Sequence, residues 1–338
     1  MFCLNVYIVQ VSKKGRKGAF MKIDQLLEGV SSVGITGHVR PDGDCLGSTL
    51  GLYNYIKHNR PDIDVDVYLE QPSEEFMFMA NIDEVLQAPK DIAYDIFFVL
   101  DSSSLDRIEP FISCYEHAKK TVCIDHHISN TEYADENLVM PKASSASEVL
   151  YTTLDADKID KNVAECIYTG IIHDTGVFKY SDTSAQTMKI AGEMMEYGID
   201  YSSIIDNSFY KKTYIQNQIL GRALLESILF YDGRCIFSSV TREEMEFYGV
   251  TGKELGGIVE QLRLTDGVEV AIFLYETDTE EYKVSLRSKK KIDVSKIALH
   301  YGGGGHIRAA GFTAKGTVHT IVNKIGEMIE EQYNAMIE

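Results

Sequence analysis

Hydrophobic and polar positions change their spacing along the chain, and each change predicts an element. Val33-Gly34-Ile35-Thr36 is a short apolar run of strand length. A polar turn, His38-Val39-Arg40-Pro41-Asp42-Gly43-Asp44, follows, and then Leu46, Leu50, Tyr53 and Ile56 recur at helical spacing. Val65-Asp66-Val67-Tyr68-Leu69 alternates like a half-buried strand, whereas Ile96-Phe97-Phe98-Val99-Leu100 is apolar throughout, the pattern of a central parallel strand. Thr121-Val122-Cys123-Ile124 predicts another strand. Strands alternating with helices imply an α/β fold whose parallel sheet has helices on both faces.

From Ala143 the pattern turns helical. Ser145-Ala146-Ser147-Glu148 has a capping-box spelling, and helices are expected over Lys161–Ile172, Ser184–Tyr197 and Tyr214–Glu226. Beyond these the register changes again. Arg234–Val240, Val268–Tyr275 and Tyr282–Leu286 predict strands, the last two joined by the acidic turn Glu276–Glu281. Lys253–Arg263 predicts a helix. A glycine-rich loop, Tyr301-Gly302-Gly303-Gly304-Gly305-His306, precedes a final helix with Ile321, Ile325, Met328 and Ile329 on one face. This half reads as a smaller α+β domain. The boundary is expected near Asn207–Leu220, in a helical connector.

A length of 338 residues accommodates two domains. No apolar run approaches membrane-spanning length, so no membrane partner is expected. The net charge of −18 opposes non-specific binding to long nucleic acids, which requires neutralising phosphates, but leaves room for a small phosphorylated ligand. The six cysteines form no C-x-x-C pair and no zinc spacing, and with no convincing signal peptide they read as reduced thiols of a cytoplasmic protein. Cys45 follows Asp44 directly and reads as a small residue at a helix start. Residues 1–20, with the basic patch Lys13, Lys14, Arg16 and Lys17, read as an extension outside the fold.

The candidate chemistry sits where apolar runs end. His38, Asp42, Asp44, Asp101, Asp125, His126, His127 and Asp174 mostly follow strand runs, which brings them to one edge of one sheet, the edge where open α/β sheets bind ligands. Singly, each has an ordinary reading: a core or surface histidine, a turn-forming or capping aspartate. Their recurrence at successive strand ends does not. A mixed carboxylate and imidazole set suits manganese, iron, zinc or cobalt better than calcium. The donors are too many for one ion with an open position. Two ions sharing a carboxylate fit better, and would cancel the charges of Asp42, Asp44, Asp101 and Asp174. In the second half, the four glycines let a backbone approach a ligand closely, and Arg287, His306 and Arg308 bring positive charge to an acidic chain. Lys289-Lys290-Lys291 reads as a solvated turn.

The ordered set His38-x-x-x-Asp42-x-Asp44, Asp101, Asp125-His126-His127 and Asp174 resembles the four signature motifs of the DHH phosphoesterase superfamily, over roughly Lys22–Asp182. Arg287-Ser288 and Gly302-Gly303-Gly304-Gly305-His306-x-x-Ala309-Ala310-Gly311 resemble the companion DHHA1 domain, from about Leu220 onward. With the extension and the connector read above, four segments are expected: 1–20 an extension, 21–206 what resembles a DHH metal-binding catalytic domain, 207–222 a helical connector, and 223–338 what resembles a DHHA1 substrate-binding domain. The resemblance implies two divalent ions, usually Mn2+. His38, Asp42 and Asp101 would hold one; Asp44, Asp101, His126 and Asp174 the other, with Asp101 bridging. Asp125 would orient a histidine, His127 would act catalytically at the phosphate or leaving oxygen, and Arg287, Ser288, Gly303, Gly304, Gly305, His306 and Arg308 would bind substrate. His173 departs from the family pattern before the aspartate and reads as a helix-end residue.

By length and domain content the chain resembles stand-alone oligoribonucleases that also dephosphorylate 3′-phosphoadenosine 5′-phosphate. The expected substrates are therefore short RNA oligonucleotides or phosphorylated mononucleotides. A phosphodiesterase for cyclic di-AMP or linear dinucleotides is the near alternative. A non-catalytic RNA-binding module is the alternative of another class, and the intact metal motifs weigh against it. Pyrophosphatase and processive exonuclease readings are disfavoured by the Gly-rich histidine loop and by the charge. The sequence says nothing about oligomeric state.

Overall fold

The computed structural model describes residues 22–109 and 111–336. The proposed extension over residues 1–20 lies outside the described residues. The chain divides into two compact units, one ending at Lys211 and the other beginning at Lys212.

In the N-terminal unit, five strands form one parallel sheet: β1 (Ser32–Thr36), β2 (Asp64–Tyr68), β3 (Ile96–Leu100), β4 (Thr121–Asp125) and β5 (Glu136–Val139), in the order β2-β1-β3-β4-β5. The helices are α1 (Ile23–Leu26), α2 (Gly43–Asn59), α3 (Ile112–His117), α4 (Ala146–Thr153), α5 (Lys161–Asp174), α6 (Ala185–Glu196) and α7 (Tyr201–Ile205). β3 explains why a two-faced burial was legible. Phe98 and Leu100 join the core with Leu46, Leu50, Ile167 and Ile171 of α2 and α5, while Phe97 and Val99 join Tyr68, Phe111 and Tyr115 on the other face, beside α3. The pleat sends alternate side chains to opposite faces, so a strand buried on both sides must be apolar throughout.

α2 and α5 approach closely. A Cβ at Gly47 would lie 2.6 Å from the Cys166 carbonyl oxygen and 2.8 Å from Gly170 Cα, so glycine at 47 lets the helices meet. That contact fixes the N-terminus of α2 relative to the C-terminus of α5, where candidate site residues stand.

The C-terminal unit holds a six-stranded mixed sheet: β6 (Ile228–Phe230), β7 (Cys235–Val240), β8 (Val270–Asp278), β9 (Glu281–Ser288), β10 (Gly304–His306) and β11 (Ala309–Lys315), in the order β10-β11-β9-β8-β7-β6. Only β7 and β8 pair in parallel. On one face α11 (Val294–His300) and α12 (Val318–Asn334) pack Ile297, Ile321 and Ile325 against Val284, Leu286 and Phe312. On the other, α8 (Tyr214–Leu225) and α10 (Ile258–Arg263) pack Ile219, Ile258 and Leu262 against Ala271 and Phe273. α9 (Arg242–Tyr248) precedes α10.

The structure revises four local expectations. The helix expected over Lys253–Arg263 starts only at Ile258, because Gly257 takes a left-handed φ of +89° and breaks the helical path. The acidic turn is mostly strand: β8 runs to Asp278 and β9 starts at Glu281, since backbone pairing continues past the buried residues. The capping box at α4 is half formed. Ser145 caps the Glu148 N–H at 3.0 Å, but the Glu148 carboxylate accepts instead from Ser144 Oγ at 2.6 Å and Thr187 Oγ1 at 2.7 Å. The glycine loop is partly strand, with Gly304–His306 paired to β11. β5, β6 and the short helices α1, α3, α7 and α9 were not read from the pattern. β5 and β6 are short and lack buried residues, so their alternation is weak.

Candidate metal centre

Three adjacent parallel strands end at one edge of the first sheet, and each ends in candidate donors. His38 follows β1, Asp101 directly follows β3, and Asp125, His126 and His127 finish or follow β4. Asp42 caps α2, accepting from the backbone N–H groups of Asp44 and Cys45 at 3.1 Å each. Asp174 is the last residue of α5. Asp101 has φ of +54°, an unusual conformation for a non-glycine residue.

Asp101 is buried and its two carboxylate oxygens face different partners. Oδ2 lies 3.3 Å from His38 Nε2. Oδ1 lies 3.6 Å from His126 Nε2 and 3.7 Å from His127 Nδ1. His38 Nε2 is also 3.6 Å from Asp42 Oδ2, and His126 Nε2 is 3.1 Å from Asp174 Oδ2. The donors thus fall into two clusters that meet at Asp101. Asp44, His126 and Asp174 offer ligand atoms within 4.8 Å of one another.

Asp44 is held by a distant element. Its Oδ2 accepts the Ala146 N–H at 2.6 Å and its Oδ1 the Ser147 N–H at 2.9 Å, at the start of α4. A helix start presents free N–H groups and a partial positive charge, so it receives a carboxylate well. The sequence signalled the helix start but not the carboxylate that fills it.

His127 is oriented from behind. Its Nδ1 is 2.8 Å from Asp125 Oδ1, and Asn130 Nδ2 donates to Asp125 Oδ2 at 2.6 Å. Asp125 is fully buried. Asn130 was missed by sequence reasoning; its only signal was a turn-forming composition five residues past Asp125.

The electrostatics follow from crowding. Burial pushes the Asp44 carboxyl well above its usual range, and the nearby Asp101 adds to this. Burial likewise raises Asp101, outweighing the His38 contact, and raises Asp174 to about 10 with help from Asp44 and Asp101. Burial alone would lower the His38 imidazole, but its bonds to Asp101 and Asp42 bring it up to about 10. His127 is raised chiefly by its bond to Asp125. A divalent cation reverses this frustration, since it favours the ionised form of every carboxylate at once. The donor set therefore fits a metal ion: hard oxygens and imidazoles, buried, and in excess of what one ion uses.

His173 does more than end a helix. Its Nε2 is 3.0 Å from Ser208 Oγ, and its ring lies against Phe76 and Phe209, with centroids 4.8 and 5.5 Å away. It also covers Gly43, where a Cβ would sit 2.2 Å from the ring. Burial lowers its pKa to about 4.

The substrate candidates of the second half stand together around β9, β10 and β11. The Arg287 guanidinium pairs with Glu260 through Nε and donates from Nη1 to the Leu286 carbonyl at 3.0 Å. Ser288 is buried, and its Oγ donates to the Ile292 carbonyl at 2.7 Å, which also accepts from Arg308 Nη1 at 2.8 Å. Gly304, Gly305 and His306 are exposed. Gly303 is required by contact rather than by flexibility, because a Cβ there would lie 2.3 Å from the Gly311 carbonyl oxygen.

Comparison with known proteins shows the family. The model of the DHH family N-terminal domain matches residues 32–171, and that of the DHHA1 domain residues 232–336. A Streptococcus mutans protein named probable bifunctional oligoribonuclease and PAP phosphatase NrnA is 31% identical over 300 residues, 87% of this chain and 93% of its own. The chain belongs to the DHH family. DHH phosphoesterases are metal-dependent, and the histidine and aspartate groups described here could bind such a metal. The Bacillus subtilis bifunctional oligoribonuclease and PAP phosphatase NrnA is 29% identical, covering 81% of this chain and 86% of the relative. Among solved structures, an exopolyphosphatase-related protein from Bacteroides fragilis matches 93% of this DHH-family chain and 96% of its own, with a TM-score of 0.81 and 27% identity. Among the described residues no helix is long and apolar enough to cross a membrane.

Proposed function

We propose that this DHH-family chain is a cytoplasmic phosphoesterase that hydrolyses short oligoribonucleotides to 5′-mononucleotides and removes the 3′-phosphate of 3′-phosphoadenosine 5′-phosphate. The observation that carries it is the division of Asp101, one oxygen toward His38 and the other toward His126. The names of the relatives, oligoribonuclease and PAP phosphatase, supply the substrate classes. The residues would hold two ions, proposed as Mn2+: His38, Asp42 and Asp101 for one, and Asp44, Asp101, His126 and Asp174 for the other. When bound, such ions supply Lewis acidity and a water of lowered pKa.

The chain's own residues do the rest. α4's N–H groups hold both oxygens of Asp44 in place, so the carboxylate would be oriented for an ion before one binds. Asp125 keeps a proton on His127 Nδ1 and raises its pKa, which suits His127 to donate to the departing oxygen. Arg287, Ser288, Gly303, Gly304, Gly305, His306 and Arg308 are proposed to bind substrate. The net charge of −18 supports the exclusion of long duplexes.

The test is product analysis of an end-labelled trinucleotide with Mn2+, run beside 3′-phosphoadenosine 5′-phosphate and cyclic di-AMP. Stepwise release of 5′-mononucleotides and loss of the 3′-phosphate are expected. Turnover of cyclic di-AMP alone would replace this reading with the cyclic-dinucleotide one. Tight RNA binding without turnover would replace it with the binding-module one.

A further inference from the structure

Cys45 stands in the first turn of α2, one residue past Asp44, and is fully buried. Its Sγ packs on the backbone of Gly37, where a Cβ would lie 2.3 Å from the sulfur, and it donates to the His38 carbonyl at 3.8 Å. The sulfur, a ring nitrogen of His38 and a carboxylate oxygen of Asp101 all lie within 4.8 Å of one another. Among the described residues no other cysteine belongs to such a three-donor group. The proposed reaction makes no use of this thiol.

The chemistry of the three donors differs from that of the rest of the centre. Oxygen-rich sites suit Mn2+ and Mg2+, whereas thiolate selects Zn2+ and Cd2+. Zinc takes Cys, His and Asp together in tetrahedral sites. We propose that Cys45 supplies a sulfur donor at the His38 end of the centre, making His38, Cys45 and Asp101 a site for a thiophilic divalent cation that competes with the hard ion there. The inference rests on the reading of this centre as a metal site. Binding forms one metal–sulfur bond, breaks the S–H bond and releases that proton to solvent, with no change of oxidation state. The thiol gives up its bond to the His38 carbonyl, and the same carbonyl remains in the loop it came from.

The consequence is a selectivity device: a small residue at position 45 that discriminates among metals without touching the substrate. Zn2+ or Cd2+ seated on the sulfur would occupy two donors of the hard-ion site and so oppose Mn2+ loading.

The test uses the full chain stripped of metal by chelation, then titrated with Cd2+ and, separately, with Mn2+. The readouts are the near-ultraviolet thiolate-to-cadmium absorption, the protons released and the affinity. The wild-type chain should develop the absorption band, saturating with one Cd2+. Cys45→Ala and the size-matched Cys45→Ser should lack that band and release one proton fewer. Their Cd2+ affinity should fall by at least about tenfold, the cost of losing even an outer partner of a metal site, while Mn2+ affinity falls less. A Cys45→Ser chain that keeps the band, the proton count and the Cd2+ affinity overturns the proposal. Failure of the wild-type chain to bind either ion overturns the metal-site reading beneath it, a different outcome from Mn2+ binding with no cadmium–sulfur signature.

Discussion

In the N-terminal unit His38, Asp44 and Asp101 are buried together, and burial raises both carboxyls, Asp44 well above its usual range. In the C-terminal unit the polar candidates are at ease. Arg287 has Glu260, Ser288 and Arg308 share the Ile292 carbonyl, and Gly304 and Gly305 pair with β11. Burying like charges together costs free energy that only a multivalent partner returns. A surface whose polar atoms are already bonded can bind a ligand but does not require one. The first region is therefore read as the chemical centre and the second as a recognition surface, and that contrast can be broken at several points.

The largest effect is expected at Asp101. Asp101→Asn should abolish hydrolysis with any divalent ion, because both clusters lose their shared carboxylate; turnover of a dinucleotide measures it. Next come His127 and the group behind it. His127→Ala should lower kcat by about 10²–10⁴-fold, the usual worth of a proton donor. Asp125→Asn should cost about tenfold to a hundredfold, as removal of an orienting partner does. The sign of its pH effect is fixed: Asp125 raises His127, so its loss lowers that pKa and moves the alkaline limb of the rate profile to lower pH.

Arg287→Ala should act differently, raising KM by about tenfold with little change in kcat, since a charged hydrogen bond to substrate is worth a few kcal/mol at most. A fall in kcat without a change in KM would give the C-terminal unit a role in chemistry and erase the contrast. Gly43→Ala should destabilise the protein by about 1–3 kcal/mol through collision with the His173 ring. Combining it with His173→Ala should cost less than the sum of the two single changes, because the collision is gone while the packing of the ring on Phe76 and Phe209 is lost only once.

How far the sequence alone revealed these regions depended on distance along the chain. That the candidate residues at the ends of β1, β3 and β4 gather at one place was legible because continuous apolar runs mark parallel strands, and the ends of adjacent parallel strands share one edge. The seat of Asp44 was not, since its partners at Ala146 and Ser147 lie more than a hundred residues away and use only backbone N–H groups. His173 was read as a helix-end residue because its meaning comes from Gly43, Phe76 and Phe209, which approach it only in the fold. The glycine run looked like a loop because composition cannot tell flexibility from close packing, and Gly303 is there for packing.

The smallest effect concerns pH and the metal-free chain. Asp44, Asp101 and Asp174 are all raised, and Asp174 and His38 both stand near 10. Groups raised on folding stabilise at low pH and lose that contribution as pH rises through the folded value. The chelated protein should therefore melt at a lower temperature at pH 9 than at pH 6, and saturating Mn2+ should remove or reverse the difference. A chelated protein equally stable at both would show that the carboxylates are less crowded than the geometry indicates.

The central claim is that Asp101 joins two cation sites into one centre, and counting bound metal tests it most directly. Elemental analysis of the chain equilibrated with Mn2+ and passed through a desalting column should give two ions per wild-type chain and close to none for Asp101→Asn. Two ions retained by the variant would contradict the account, whatever its activity.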